Sequence, residues 1–315
     1  MPTETSRAAA GVIHDLGYRR YDGPRFGRSR IVAALAWHSF RSAFGLGRGA
    51  KAKIVPVIAF VALLLPAIVN AFAMSQGNAR QVDYDTYVPV LRDLIMLVFV
   101  AVQAPELVSR DLRSRVLPLY FSRPIKPVDY PLAKYLGFTG ACLVMLEVPL
   151  LALYGGAIAN VHGGSAVWAE TKALIPGLLI GLLWAVTLAA ISLFLASMTG
   201  RRGFATGTVA IGFLLTYTLA EILLQVESPA LGHSAGPPGS GAAAAVAVPL
   251  AEKVAGLFSP FTLLQGVRLW LGGTNPGDNV PKPGAFGAVY ALVLIALVAL
   301  SLYGLAARYR KARLS

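Results

Sequence analysis

Six stretches of this chain are apolar over about twenty residues each, at 54–74, 88–108, 136–161, 173–198, 204–225 and 286–307. A bilayer core about 30 Å thick requires roughly 20 apolar residues per crossing helix, so each stretch is long enough to cross. Composition agrees: 56% of residues are hydrophobic and 14% charged, against roughly 25% charged in soluble domains, with a mean hydropathy of +0.63. The expected fold is an all-α integral membrane protein with six transmembrane helices. The first, fourth and sixth stretches contain no charged residue, whereas the second holds Arg92, Asp93 and Glu106.

The net charge of +13 is distributed as membrane topology requires, and no nucleic-acid partner is expected from it. With both termini inside, twenty-two Lys and Arg fall on the inner side, five on the outer side, and Arg92 within the second span. Cytoplasmic loops concentrate Lys and Arg, so both ends are expected in the cytoplasm, in the cell inner (plasma) membrane. No secretory leader is evident in the first thirty residues, and insertion is expected to rely on the first span.

Residues 1–29 read as a polar, Arg-rich cytoplasmic arm with a turn at Asp22-Gly23-Pro24. Within 30–53, Val32, Leu35, Ala36, Phe40, Ala43 and Phe44 recur at helical spacing, with Trp37, His38 and Arg41 on another face. This suits an interfacial helix anchored by Trp37 and Arg41, or a helix docked on a protein surface. His14 and His38 read as surface histidines, lacking a second ligand at i+4. Cys142, the lone cysteine, reads as a packing residue and permits no intrachain disulfide.

The transmembrane domain covers 54–307, followed by a cytoplasmic tail at 308–315. Its outer loop, 226–285, comprises a Gly/Pro linker at 232–241 and two apolar pieces at 242–258 and 259–271. These suit interfacial or re-entrant segments, and a seventh and eighth span is the alternative.

Ionisable residues near the spans divide by depth. Glu147 lies near the middle of the third span, where a charge costs about 2.5–3.5 kcal/mol. It reads either as lining a substrate path or subunit seam, or as a neutral acid hydrogen-bonded within the helix packing near Pro149. Arg92, Asp93 and Glu221 lie near outer ends and are expected to snorkel. Glu106 is expected to pair with Arg110 one turn later.

The chain contains no phosphate-binding loop: the Gly-rich GLGRGAKAK at 45–53 lacks the Gly-Lys-Ser/Thr ending. Metal-binding and hydrolase motifs are likewise missing from the sequence. The chain is therefore not expected to be an enzyme or to bind a cofactor or metal of its own.

The inner loop at 109–135 is the most distinctive segment. Its residues Asp111, Leu117, Ser122, Pro124 and Lys134 resemble the acidic-x5-Leu-x4-Ser-x-Pro-x9-Lys signature of type-2 ABC transporter permeases. The run YRRYDGPR at 18–25 is similar to the amino-terminal arm of one branch of that family. The resemblance implies a type-2 ABC exporter-like fold and a coupling helix seated in a groove of a separate ATP-binding subunit. ATP and Mg would then reside on that subunit, and a second permease copy or paralogue would complete the pore. The implied function is ATP-driven transport, with export expected.

Leu112, Val116, Leu119 and Tyr120 would form the apolar stripe pressed into the groove, with Arg113 and Arg115 available to acidic residues at its rim; Asp111 and Leu117 belong to the same partner-binding loop. Many family members carry Gly-Thr where Arg115 and Val116 stand, a departure from the pattern at the point where the coupling helix would start. The same arginines would also anchor the loop to anionic membrane lipid. The small residues Gly203, Ala205, Gly207, Ala210 and Gly212 of the fifth span are candidates for the subunit seam. An ion-gradient-driven secondary transporter and a nonenzymatic membrane scaffold are the rival functional classes.

Overall fold

The computed structural model describes Gly23 and residues 27–113, 126–227, 250–273 and 283–312, with the backbone alone at 109, 110, 112, 113, 224–227, 250–252, 311 and 312. The described residues form helices and no strand. In chain order the helices are α1 (Arg28–Ala43), α2 (Lys51–Ser75), α3 (Pro89–Arg113), α4 (Asp129–Asn160), α5 (Gly164–Ser197), α6 (Arg202–Glu227), α7 (Leu250–Ala255) and α8 (Pro260–Trp270). A 3-10 turn at Gly284–Phe286 then leads into α9 (Gly287–Ala312).

Among the described residues, five helical segments are long and apolar enough to cross a membrane: Lys51–Ser75, Asp129–Asn160, Gly164–Ser197, Arg202–Leu223 and Gly284–Arg310. The protein therefore has a multi-pass membrane architecture. The remaining long helix, α3, matches α2 in length at 25 residues, but its apolar run is interrupted by Arg92, Asp93 and Glu106. It packs against α5, α6 and α2, with Met96, Phe99, Val100 and Ala104 fully buried.

Prolines inside α2, α3, α4 and α5 are accommodated without ending the helices, as neighbouring packing allows in membrane helices. The outward faces are hydrocarbon: Ile58, Leu65 and Phe72 of α2, Ile211 and Leu215 of α6, and Leu292 and Ile295 of α9 are each more than half exposed. Such faces require lipid or another apolar surface.

The apolar face expected for α1 is the one that packs, and it packs on α4. Ser39 and Ala43 are buried, whereas Trp37, His38 and Arg41 are exposed. The helices meet at Gly137, where a Cβ would lie 2.7 Å from the Ser39 Cβ and 3.0 Å from the Phe40 backbone nitrogen. Only glycine admits that approach. An aromatic series extends inward from the contact: Trp37–Phe40 at 5.3 Å, Phe40–Phe44 at 5.4 Å, Phe44–Phe99 at 6.2 Å and Phe99–Phe138 at 6.0 Å. Such pairs contribute about 0.5–1.5 kcal/mol each beyond burial.

The described part of the 242–271 region contains no additional crossing. With 6 and 11 residues, α7 and α8 extend about 9 and 16 Å, short of a bilayer core. Ser259 caps α8 by accepting from the Phe261 N–H, with Pro260 in the first turn. Its Phe261 packs against Trp184 of α5 and Phe213 of α6. Below the cap, the Tyr290 hydroxyl of α9 donates to the Lys253 carbonyl at 2.6 Å.

Replacing Gly137 with leucine should push α1 off α4, destabilising the fold by about 1–3 kcal/mol as overpacking does. A lowered thermal midpoint in detergent and faster proteolysis in the α1–α2 turn are the expected readouts; an unchanged midpoint would contradict the close contact.

Candidate functional site

The loop bearing the family-like motif is rooted in two acidic residues at the end of the bundle where α1 packs. Asp111 lies in the last turn of α3 and Asp129 opens α4. The Lys134 ammonium meets the Asp111 carboxylate at 2.7 Å, and the Tyr130 hydroxyl donates to the same carboxylate at 2.5 Å. Lys134 is only 5% exposed, so this is a largely desolvated ion pair. The two charged members of the motif, distant in sequence, thus meet in space.

Asp129 is held differently. The Arg28 guanidinium of α1 donates to both of its oxygens, at 2.6 Å each, and the Lys126 backbone N–H donates at 2.8 Å. The hydrogen bond to Asp129 raises the Arg28 pKa above its ordinary value. Position favours this acid as well, because the amino-terminal end of a helix attracts negative charge. Bidentate geometry fixes the direction of the guanidinium as well as its distance.

Glu106, one turn before the end of the apolar part of α3, meets Arg48 of the α1–α2 turn at 2.5 Å and pairs with Arg202 at the start of α6. Arg48 also donates to the Ser42 carbonyl and hydroxyl. The Arg110 side chain, the partner expected for Glu106, lies outside the described residues. On the far side of the same end, Arg308 of α9 donates to the carbonyls of Ser197 and Met198, supplying cation and donors to the last turn of α5. Nearby His38 is held below its ordinary pKa, first by partial burial and then by Lys134.

Of the predicted groove-binding residues, Asp111 is described in full, and Leu112 and Arg113 by helical backbone only. Arg115, Val116, Leu117, Leu119 and Tyr120 lie outside the described residues. Trp37 is 61% exposed and Arg41 is also exposed, as anchors on the outer side of α1 would be. The small-residue stripe of α6 is divided: Ala205 is buried within this chain, Gly212 faces Leu195, and Gly203 and Gly207 face open space.

The opposite end holds a second charged cluster. Arg80 pairs with Glu170 of α5 at 2.6 Å and stacks over the Tyr84 ring at 4.2 Å, and the Tyr84 hydroxyl donates to Glu170 at 2.8 Å. Burial, followed by that carboxylate, pushes the Tyr84 phenol up to about 12. These contacts fasten the α2–α3 loop over α5. Arg268 of α8 meets Asp85 at 3.0 Å, tying the same loop to α8.

Arg92 corrects an expectation. Rather than snorkelling, it is 7% exposed, paired with Asp93 at 3.0 Å and laid over the Trp184 ring at 4.2 Å. An inward cation over an aromatic face is stabilised by about 2 kcal/mol when desolvated. Asp85 and Arg268 were not anticipated as partners. The available signal was a single cation in the apolar run SPFTLLQGVRLWL, but its partner is 183 residues away. Glu147 lies between α4 and α5, and neither carboxyl oxygen has a hydrogen-bond partner among the described residues. A hydrogen-bonded packing acid is therefore not what the structure shows.

Among the described residues no group of three or more His, Cys, Asp and Glu is arranged to hold a metal ion. Comparison of the chain with protein-family models and with curated proteins returns no match.

Lys134→Ala should leave Asp111 without its cation and destabilise the protein by about 3–5 kcal/mol, the range for breaking one side of a buried pair. Combining it with Asp111→Asn should recover part of that loss in a double-mutant cycle of detergent unfolding. Additive losses would mean that the pair does not hold the loop.

Proposed function

We propose that this chain is the transmembrane permease subunit of a type-2 ABC-like exporter, driven by ATP hydrolysed on a separate subunit. The observation that carries the reading is the Asp111–Lys134 ion pair. It joins the two charged positions of the family-like motif across the roots of the segment assigned to coupling. A loop rooted this way transmits a push to α3 and α4 rather than absorbing it, because both roots are tied to other helices.

In this reading α3 is the sixth crossing helix, its charges sheltered by α5 and its neighbours, and both termini are cytoplasmic in the plasma or inner membrane. The stripe at Leu112, Val116, Leu119 and Tyr120 enters a groove of the ATP-binding subunit, and Arg113 and Arg115 meet acidic residues at its rim. ATP and Mg remain on that subunit. A second permease copy or paralogue forms the other half of the pathway, and nucleotide-driven closure tilts α3 and α4 to move substrate outward. Trp37 and Arg41 hold α1 at the lipid headgroups.

Glu147 gives the gradient-driven alternative its one specific support, since secondary transporters place ionisable groups within the membrane. Mild-detergent affinity purification from native membrane, with mass spectrometry and an ATP-hydrolysis assay, separates the readings. A stoichiometric subunit with nucleotide-binding motifs and vanadate-sensitive hydrolysis is expected; this chain recovered alone would favour the alternative. Within the permease reading, Leu112→Asp combined with Val116→Asp should abolish co-purification of the ATPase while membrane insertion persists. Undiminished co-purification would remove the coupling assignment.

A further inference from the structure

Glu147 sits where a carboxyl group needs a reason to be. It lies on α4 beside Val148 and Leu151, which are exposed on the apolar surface. Its two carboxyl oxygens turn away from that surface, are buried, and receive no hydrogen bond among the described residues. They are lodged against Gly181 of α5, where a Cβ would lie 3.0 Å from the Glu147 Cδ and closer still to Oε1. One turn earlier, a Cβ at Gly177 would lie 2.9 Å from the Tyr84 carbonyl oxygen and 3.1 Å from Leu150 Cδ2. The two glycines cut a furrow in α5: the α2–α3 loop descends into one part and the carboxyl fills the other.

The furrow also opens inward. Gly177 and Gly181 both line a cavity of about 20 Å³, whose other walls include Tyr84, Asp85, Tyr87 and Arg92. A space of this size holds about one water when polar groups surround it. Gly181 is thus shared: it lines the cavity, it touches the Glu147 carboxyl, and it brings no side chain between them. The polar walls come from the α2–α3 loop and the first turns of α3, so the cavity belongs to the loop end of the bundle.

We propose that Glu147 is a proton-binding site that exchanges with water at the α2–α3 loop end through the cavity beside Gly177 and Gly181. The carboxylate takes a proton from a cavity water that has received one from bulk, and returns it by the reverse step. A proton fits where a metal ion does not: hard cations require several oxygen ligands together, and Glu147 offers only its own two. The ionisable groups on the cavity side include Tyr84, Asp85 and Tyr87 of the loop and Arg92 with Asp93 of α3, with Arg268 of α8 behind Asp85 and Arg80 with Glu170 of α5 behind Tyr84. α2 brings none between residues 54 and 75. The ionisable groups of α1 and α9 seen in contact with α4, Arg28 and Tyr309, lie toward its opposite end, where Arg28 meets Asp129 and Tyr309 meets Tyr130. The site is independent of any ATPase subunit and stands or falls apart from the permease reading.

Labelling with dicyclohexylcarbodiimide tests it. A protonated carboxyl adds across the N=C=N group and rearranges to a stable N-acylurea carrying the whole reagent, with no leaving group. The full chain would be reconstituted into vesicles of determined orientation, and the adduct on the Glu147 peptide followed by mass spectrometry. Labelling is expected to slow about tenfold per pH unit above the carboxyl's pKa, to respond to pH on the loop side alone, and to vanish in Glu147→Gln. No adduct at Glu147 at any pH would overturn the proposal. So would labelling that follows the pH on the α1 side.

Discussion

An apolar bundle solvates charge poorly, and this fold is organised by where its charges find partners. The ion pairs seen among the described residues fall into two sets. Arg28–Asp129, Arg48–Glu106, Arg202–Glu106 and Lys134–Asp111 gather where α1 packs. Arg80–Asp83, Arg80–Glu170, Arg92–Asp93 and Arg268–Asp85 gather under the α2–α3 loop. Between them the helices meet through Phe138, Met145, Trp184 and Leu188, all essentially inaccessible. An isolated charge in such surroundings costs several kcal/mol, so the pairing at both ends permits α3 to carry Arg92, Asp93 and Glu106 within its apolar run. Glu147 is the exception to that sorting.

The helices were legible because their signal is local. A run of twenty apolar residues announces a crossing segment, and the spacing of Leu35, Phe40 and Ala43 identifies the face α1 buries. The partners of the charges were not legible. Glu106 has Arg48 and Arg202 as partners, brought near by the packing of the α1–α2 turn and α6. Arg92 has a route to the surface by helical geometry, and Trp184 draws it inward instead. In each case the deciding residue comes from another element, and a periodicity argument along one helix contains no information about it. The same holds for the glycines of α5, whose significance emerges only with Glu147 and Tyr84 in place.

The two clusters differ in what they restrain. At the α1 end the pairs join the end of α3 and the start of α4 to each other and to α1, the α1–α2 turn and α6. At the opposite end they hold a loop down as a cover, with Tyr84 and Tyr87 inserted beneath it and the Tyr87 hydroxyl donating to the Leu63 carbonyl at 2.6 Å. One arrangement joins separate helices to one another, the other fastens a loop over α5 and α8.

The fastening of α1 has a mechanical corollary. This 16-residue helix is about 24 Å long. Arg28 at its beginning grips the first residue of α4, and Arg48 just beyond its end grips α3 through Glu106. It is thus a strut across the two helices that carry the loop's roots. Any change in the spacing of α3 and α4 at that end must roll or slide the strut against the Gly137 contact, and Trp37, on its outer side, would sweep along with it. A fluorophore already built into the chain would therefore register any relative movement of α3 and α4 as a change in its surroundings.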